Sequence, residues 1–283
     1  MKGGHNILGQ VRERRYRFVR DIGKLIEEDT KRLERGGKLP KHEVEPISDV
    51  SSIDDYLVIP GIECVGADGA VFERYDRIYV AKDVERNGKR HISFTPYKAI
   101  LHFEKKNMFL PSFALSCNVL ACLFANKDNE DCNKALMQYK NRGAECGWHA
   151  QNTIVDWKNK KIRHYPLDMD FHNDGGNDNV NQSRQNAELG FDVKGLETMS
   201  MEDALKRKEF ERFIINLTGL KSPEVLVEIG KYFDKPARIW VPNNPSDVKY
   251  TSASWLGCYN YSFSIVAYRG LSYNSAARGV REP

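Results

Sequence analysis

From Gly257 to Arg281 the chain has no Lys, Glu, Gln, Asp or Met, although charged residues make up 29% of the whole. Within this stretch apolar side chains recur at every second position, at Phe263, Ile265, Ala267 and Leu271, with Arg269 in the same register. Side chains two apart on an extended chain share a face, so this register predicts a strand with one buried side. The other register holds Ser262, Ser264, Val266, Tyr268, Gly270 and Ser272, flanked by Tyr259, Asn260, Tyr261, Tyr273, Asn274 and Ser275. Tyr, Ser, Asn and Gly together are the composition of an antibody-like contact surface. Tyr supplies stiff amphipathic area there, and the small polar residues adaptable hydrogen bonds. The second register is therefore expected to face solvent and bind. Trp255, Ala276, Ala277, Arg278, Gly279 and Val280 are expected to be framework, with the closing Gly-Val-Arg a strand returning to the core.

The rest of the chain is that of an ordinary globular protein. Its 283 residues, 41% hydrophobic, suffice for one large domain with an extension. A net charge of +4 gives no case for nucleic acid as a partner. No apolar run reaches the length of a membrane span, and the first residues lack the apolar core of an export signal. The six cysteines form no C-x-x-C pair, which argues against a zinc or disulfide framework and for synthesis in a reducing cytoplasm.

Apolar residues from Ile7 to Leu33 recur at helical spacing over Asn6–Arg35, and Gly36-Gly37 ends the pattern. This helix either packs on its own domain or serves self-association or docking. Residues Tyr56 to His102 are expected to be β-rich, with short apolar or alternating runs at 56–61, 70–75, 77–81 and 91–94 and turns at 66–69 and at Asn87-Gly88. Helices are expected over Pro96–Lys105, Ala114–Phe124, Asp131–Lys140, Met201–Leu217 and Ser222–Phe233. Gly147 to Trp157 is a polar-aromatic segment expected to lead into a strand, with Ile162 to Pro166 the returning strand and Arg238 to Val241 a further one. The resulting division is an N-terminal helix at 1–45, a β-rich extension at 46–92 and a domain at 93–283.

Two constellations bear on chemistry. Cys146 and His149 lie three apart, and a thiol needs such a base nearby to act as a nucleophile. A loop in which His149 merely anchors the chain fits the same spacing. The Asp170–Asp178 segment fails the twelve-residue calcium-loop pattern, since His172 and Asn181 occupy its third and last ligand positions. No metal or cofactor is assigned, and no nucleotide-binding or hydrolase motif is present in the sequence.

The ending Ala276-Ala277-Arg278-Gly279-Val280-Arg281, after a Tyr/Ser/Asn-rich alternating stretch from Trp255, follows two helices and Gly-Trp-His-Ala-Gln-Asn at 147–152. Together these features resemble the C-type-lectin-fold variable proteins of diversity-generating retroelements, among them phage tropism determinants. The resemblance is specific over about thirty C-terminal residues, architectural over roughly Phe94–Val241, and does not reach the first ninety. It implies an α+β, C-type lectin fold carrying a hypervariable region at about 252–281. In that family Asn codons are rewritten at their adenines, which cannot yield Lys, Gln, Glu, Met or Trp; Leu256–Arg281 obeys this restriction. The resemblance further implies a non-enzymatic, virion-associated receptor-binding protein that attaches to a protein or glycan on a host cell; the N-terminal helix, outside the resemblance, is expected to dock the protein or build a homo-oligomer. The alternative is an enzyme on a related lectin-like scaffold, or a cysteine hydrolase using Cys146 and His149, and a fixed assembly protein is a third reading.

Overall fold

A computed structural model of the protein describes residues 50–88, 90–140, 148–166, 186–193, 197–242, 251–259, 261–269 and 274–283. For residues 148, 251, 259, 268 and 269 only the backbone is described. The chain divides between Glu43 and Val44, and every described residue belongs to the second unit. The helix expected over Asn6–Arg35, Cys146 and the Asp170–Asp178 loop lie outside the described residues. The unit is mixed α+β.

It opens with strands β1 (Ser51–Ile53), β2 (Tyr56–Val65) and β3 (Val71–Ala81), paired antiparallel in that order. The two runs expected after Ala70 merge into one strand, β3, because β2 pairs along its whole length. The 66–69 turn closes this hairpin, with Gly69 at φ +83°. A two-stranded hairpin of β4 (Arg86–Asn87) and β5 (Arg90–His91) forms at Asn-Gly as expected, with Gly88 at φ +60°.

Helix α1 (Pro96–Glu104) starts with Pro96 and is capped by Thr95, whose Oγ1 accepts from Lys98 N at 3.3 Å. Helix α2 (Phe113–Ala125) is capped by Ser112, whose Oγ accepts from Leu115 N at 2.9 Å. It is apolar on every face because it is buried nearly throughout. Helix α3 (Glu130–Lys140) follows. Then come β6 (Trp148–Asp156), β7 (Lys161–His164), β8 (Ala187–Gly190) and β9 (Met199–Ser200).

The single helix expected over Met201–Leu217 is two: α4 (Met201–Leu205) and α5 (Lys208–Thr218). The buried pair Met201 and Ala204 would continue its stripe at 207 and 208, but these are Arg and Lys. The stripe restarts in a new phase at Phe210, Phe213, Ile214 and Leu217, so the chain breaks between the two. Gly219 ends α5 at φ +63°, where a Cβ would sit 2.8 Å from those of Ala114 and Cys64. Both the turn and the close approach require glycine.

Helix α6 (Val225–Tyr232) leads to β10 (Ala237–Trp240), β11 (Thr251–Tyr259), β12 (Ser262–Arg269) and the terminal β13 (Val280–Arg281). The main sheet has seven strands in the order β8-β7-β6-β11-β12-β10-β9, with β10 and β12 parallel and the other pairs antiparallel. β13 crosses to the other sheet and pairs with β3, Val280 opposite Val80 and Arg281 opposite Tyr79. The expected boundary at 92/93 is therefore not found. The last strand and the first hairpin form one sheet, and 44–283 is one unit.

Where β6, β7, α2 and α5 meet, His164 is fully buried. Its Nε2 lies 3.0 Å from the Asn216 carbonyl, which can only accept, so Nε2 carries the proton. Nδ1 then accepts from the Thr153 hydroxyl at 2.8 Å, while Thr153 Oγ1 accepts from Phe113 N at 2.8 Å. The neutral ring is satisfied, and burial pushes its pKa down to about 4. An unfolded histidine titrates near 6.5. Between those values the unfolded chain binds the extra proton, so this site stabilises the fold fully above about pH 6.5 and loses that contribution as pH falls toward 4. Urea titrations at pH 7 and pH 4.5 are expected to differ by about 2 kcal/mol from this site. Most of that difference should vanish in His164→Gln.

Candidate binding surface at the C-terminal hairpin

β11 and β12 pair from Tyr259–Ser262 to Ala253–Arg269, with Tyr261 at a turn where β12 begins. β6 flanks the hairpin on one side and β10 on the other, so both strands are interior to the sheet. On one face Phe263, Ile265 and Ala267 are each 0% exposed beneath the helices, with the Phe263 and Phe233 rings edge to face at 5.6 Å. The Trp157 indole Nε1 donates to the Ala267 carbonyl at 2.8 Å. This is the scaffold register expected from the sequence.

The opposite register, over its described residues, is also core. Ser262, Ser264, Val266 and Ser275, expected on display, are 4%, 0%, 3% and 5% exposed. Val266 lies in an apolar cluster with Trp255, Ala150, Ile154, Ala277, Phe94 and the α1 residues Ala99, Ile100 and Phe103. Trp240 Nε1 donates to Ser264 Oγ at 3.1 Å, and the Ser262 and Ser264 hydroxyls share a hydrogen bond of 2.8 Å. The physical reason is a second layer: helices cover one face of the strand, while α1 and the returning chain cover the other. Burial on both sides also accounts for the missing Lys and Glu over Ser262–Ala267, since a charge there would be desolvated without a partner.

Among the described residues of the expected surface, Tyr261 and Asn274 are the exposed ones. Tyr261, at the turn, is 64% exposed, and Asn274 is exposed where the chain leaves for its return path. The side chains of Tyr259 and Tyr268, and residues Asn260, Gly270, Ser272 and Tyr273, lie outside the described residues. Tyr261 is presented on a rigid base, because the closing pair Tyr259–Ser262 is part of the ladder.

The framework assigned to the closing residues is found at each position. Ala276 O accepts from Ala150 N at 2.8 Å, Ala277 O from Glu85 N at 2.9 Å and Gly279 O from Ala81 N at 3.1 Å. Gly279 has no room for a side chain, since a Cβ would meet the Phe103 ring and Met108 at 2.6 Å. Arg278 is the framework residue whose guanidinium binds carbonyls; the side chain of Arg269 lies outside the described residues. Arg278 is 3% exposed and donates to Ala81 O at 2.5 Å, Lys82 O at 2.8 Å, Ala135 O at 3.3 Å and Gln138 Oε1 at 2.7 Å. Arg281 closes the chain over the Tyr56 and Tyr79 rings, at 4.2 and 5.3 Å from their centroids.

His149 is described, but its expected partner Cys146 lies outside the described residues. His149 is 1% exposed, its ring stacked on Tyr139 with centroids 3.9 Å apart. The described cysteines are buried, and desolvation pushes the thiols of Cys122 and Cys258 up to about 12, far from a nucleophilic state at neutral pH. Among the described residues no group of three or more His, Cys, Asp or Glu could hold a metal, and no helix is long and apolar enough to cross a membrane.

The sequence reading passed over a cleft formed by Phe191 and the first turns of α5. Its residues are distant in sequence and carry no motif, so only the fold assembles them. No family model, curated protein or solved structure matches this chain.

Proposed function

We propose that this is a non-catalytic binding protein on a C-type-lectin-like scaffold, recognising a protein or glycan ligand through the tip of its C-terminal hairpin. The observation that carries the reading is Tyr261, a large aromatic left 64% exposed on a turn whose flanking strands are core. A rigidly mounted Tyr with few rotatable bonds is a favoured interface anchor. Its support is a frame that fixes the chain on both sides of the tip, through β11, β12 and the Arg278–Val280 return.

In this reading the N-terminal helix docks or oligomerises the protein, as a virion-borne attachment protein requires. Retroelement diversification would act on exposed codons such as those of Tyr261 and Asn274. It would spare Ser262, Ser264 and Val266, where most replacements would disturb the core. A template copy of the DNA for 252–281, beside a reverse-transcriptase gene, should differ accordingly.

The binding test is Tyr261→Ala on an array of cell-surface glycans and proteins, beside the wild-type chain. Any ligand held by the tip should lose roughly tenfold or more in affinity, with the unfolding midpoint unchanged. Equal binding by both forms to every ligand captured would contradict the reading.

A further inference from the structure

We propose that the cleft between the end of β8 and the start of α5 binds a saccharide that carries a carboxylate. The cleft holds about 480 Å³ and is lined by Gly190, Phe191, Asp192, Lys208, Glu209 and Arg212. Small-molecule sites typically span about 300–1,000 Å³.

Phe191 is its one aromatic surface, and it is held in place. The ring packs edge to face on Trp157 at 5.1 Å and on Phe213 at 4.9 Å, and Phe191 N donates to Lys160 O at 3.0 Å. Above it Lys208 and Arg212 stand one helical turn apart, hence on one side of α5. Neither makes an ion pair with another described residue, whereas the adjacent cations are committed: Lys206 to Asp203 at 3.4 Å and Arg207 to Glu197 at 2.7 Å. Asp192 is engaged by Lys160 at 2.6 Å, and Glu209 completes the rim.

This set of side chains selects among ligand classes. A bare phosphate would meet two carboxylates as well as two cations. A cationic ligand would meet Lys208 and Arg212, and a wholly apolar one would cover the charges of Lys208, Glu209 and Arg212 without satisfying them. A sugar acid meets every wall on its own terms. Its carboxylate takes the Arg212 fork and the Lys208 ammonium, its hydroxyls donate to Asp192 and Glu209, and its C–H face lies on Phe191. The cleft sits by β8, at one edge of the sheet, on residues separate from Tyr261, so it stands or falls independently of the tip.

The test is a ligand titration of the full chain followed by NMR, with glucuronate, glucose and inorganic phosphate as probes. Glucuronate should saturate, with glucose and phosphate each weaker by about tenfold or more. Arg212→Gln should bring glucuronate down to the level of glucose, and the exposed Lys208→Gln should weaken it in the same direction. Tyr261→Ala should leave it unchanged. Equal binding of glucuronate and glucose, phosphate as tight as glucuronate, no saturation, insensitivity to Arg212→Gln, or loss on Tyr261→Ala would each overturn the assignment.

Discussion

Arg278→Ala is expected to destabilise the protein by about 3–5 kcal/mol, read as a lower urea midpoint. The guanidinium bonds to carbonyls at the end of β3, Ala81 and Lys82, and to Ala135 and Gln138 of α3. Truncation would leave these buried acceptors short of donors and open a void beside Tyr139, over whose ring Arg278 lies at 5.7 Å. The cost falls where it matters for function, since Arg278 fixes the chain that covers one face of β12. Arg278→Lys should recover only part of the loss, because one ammonium cannot span acceptors on two elements as a planar fork does. Full recovery by lysine would show that charge alone, without geometry, suffices.

Val266→Asp is expected to be at least as damaging. Val266 is 3% exposed among Trp255, Ala150, Ile154, Phe103 and Ala277, with no cation in that cluster. A carboxyl placed there must stay protonated at neutral pH, and a shift of several pKa units costs about 4 kcal/mol or more. Small domains are stable by about 5–15 kcal/mol, so a large part of the margin would disappear. The variant should unfold at low urea or accumulate as aggregate. Val266→Ala, which leaves only a cavity, should lose about 1–3 kcal/mol and stay folded. A Val266→Asp protein as stable as the parent would mean that this side chain reaches water.

The two faces of β12 show where sequence reasoning reaches its limit. Period two correctly separated Phe263, Ile265 and Ala267 from Ser262, Ser264 and Val266. It could not say what covers each face, because the cover over Val266 comes from α1, far earlier in the chain. Ser264 and Ser262 read as surface residues for a similar reason: their hydrogen-bond partners are each other and Trp240, the latter brought near by the parallel β10–β12 pairing. Local signals fared better. Thr95-Pro96 started α1, the all-apolar run made the buried α2, and Asn87-Gly88 made a hairpin. The framework role of Ala276 to Val280 was also legible, since small residues, an arginine and a glycine in succession suit a strand crossing a crowded core. The break between α4 and α5 was hidden by two apolar stripes of different phase, each helical by itself.

A lysine scan of 261, 262, 264 and 266, read as urea midpoints, tests most directly whether recognition is confined to the tip. Tyr261→Lys should match the parent within about 0.5 kcal/mol, whereas Ser262→Lys, Ser264→Lys and Val266→Lys should each lose several kcal/mol, on the order of 3 or more. If the variants at 262, 264 and 266 are as stable as the one at 261, that face of β12 is a displayed surface and the buried-strand account is wrong.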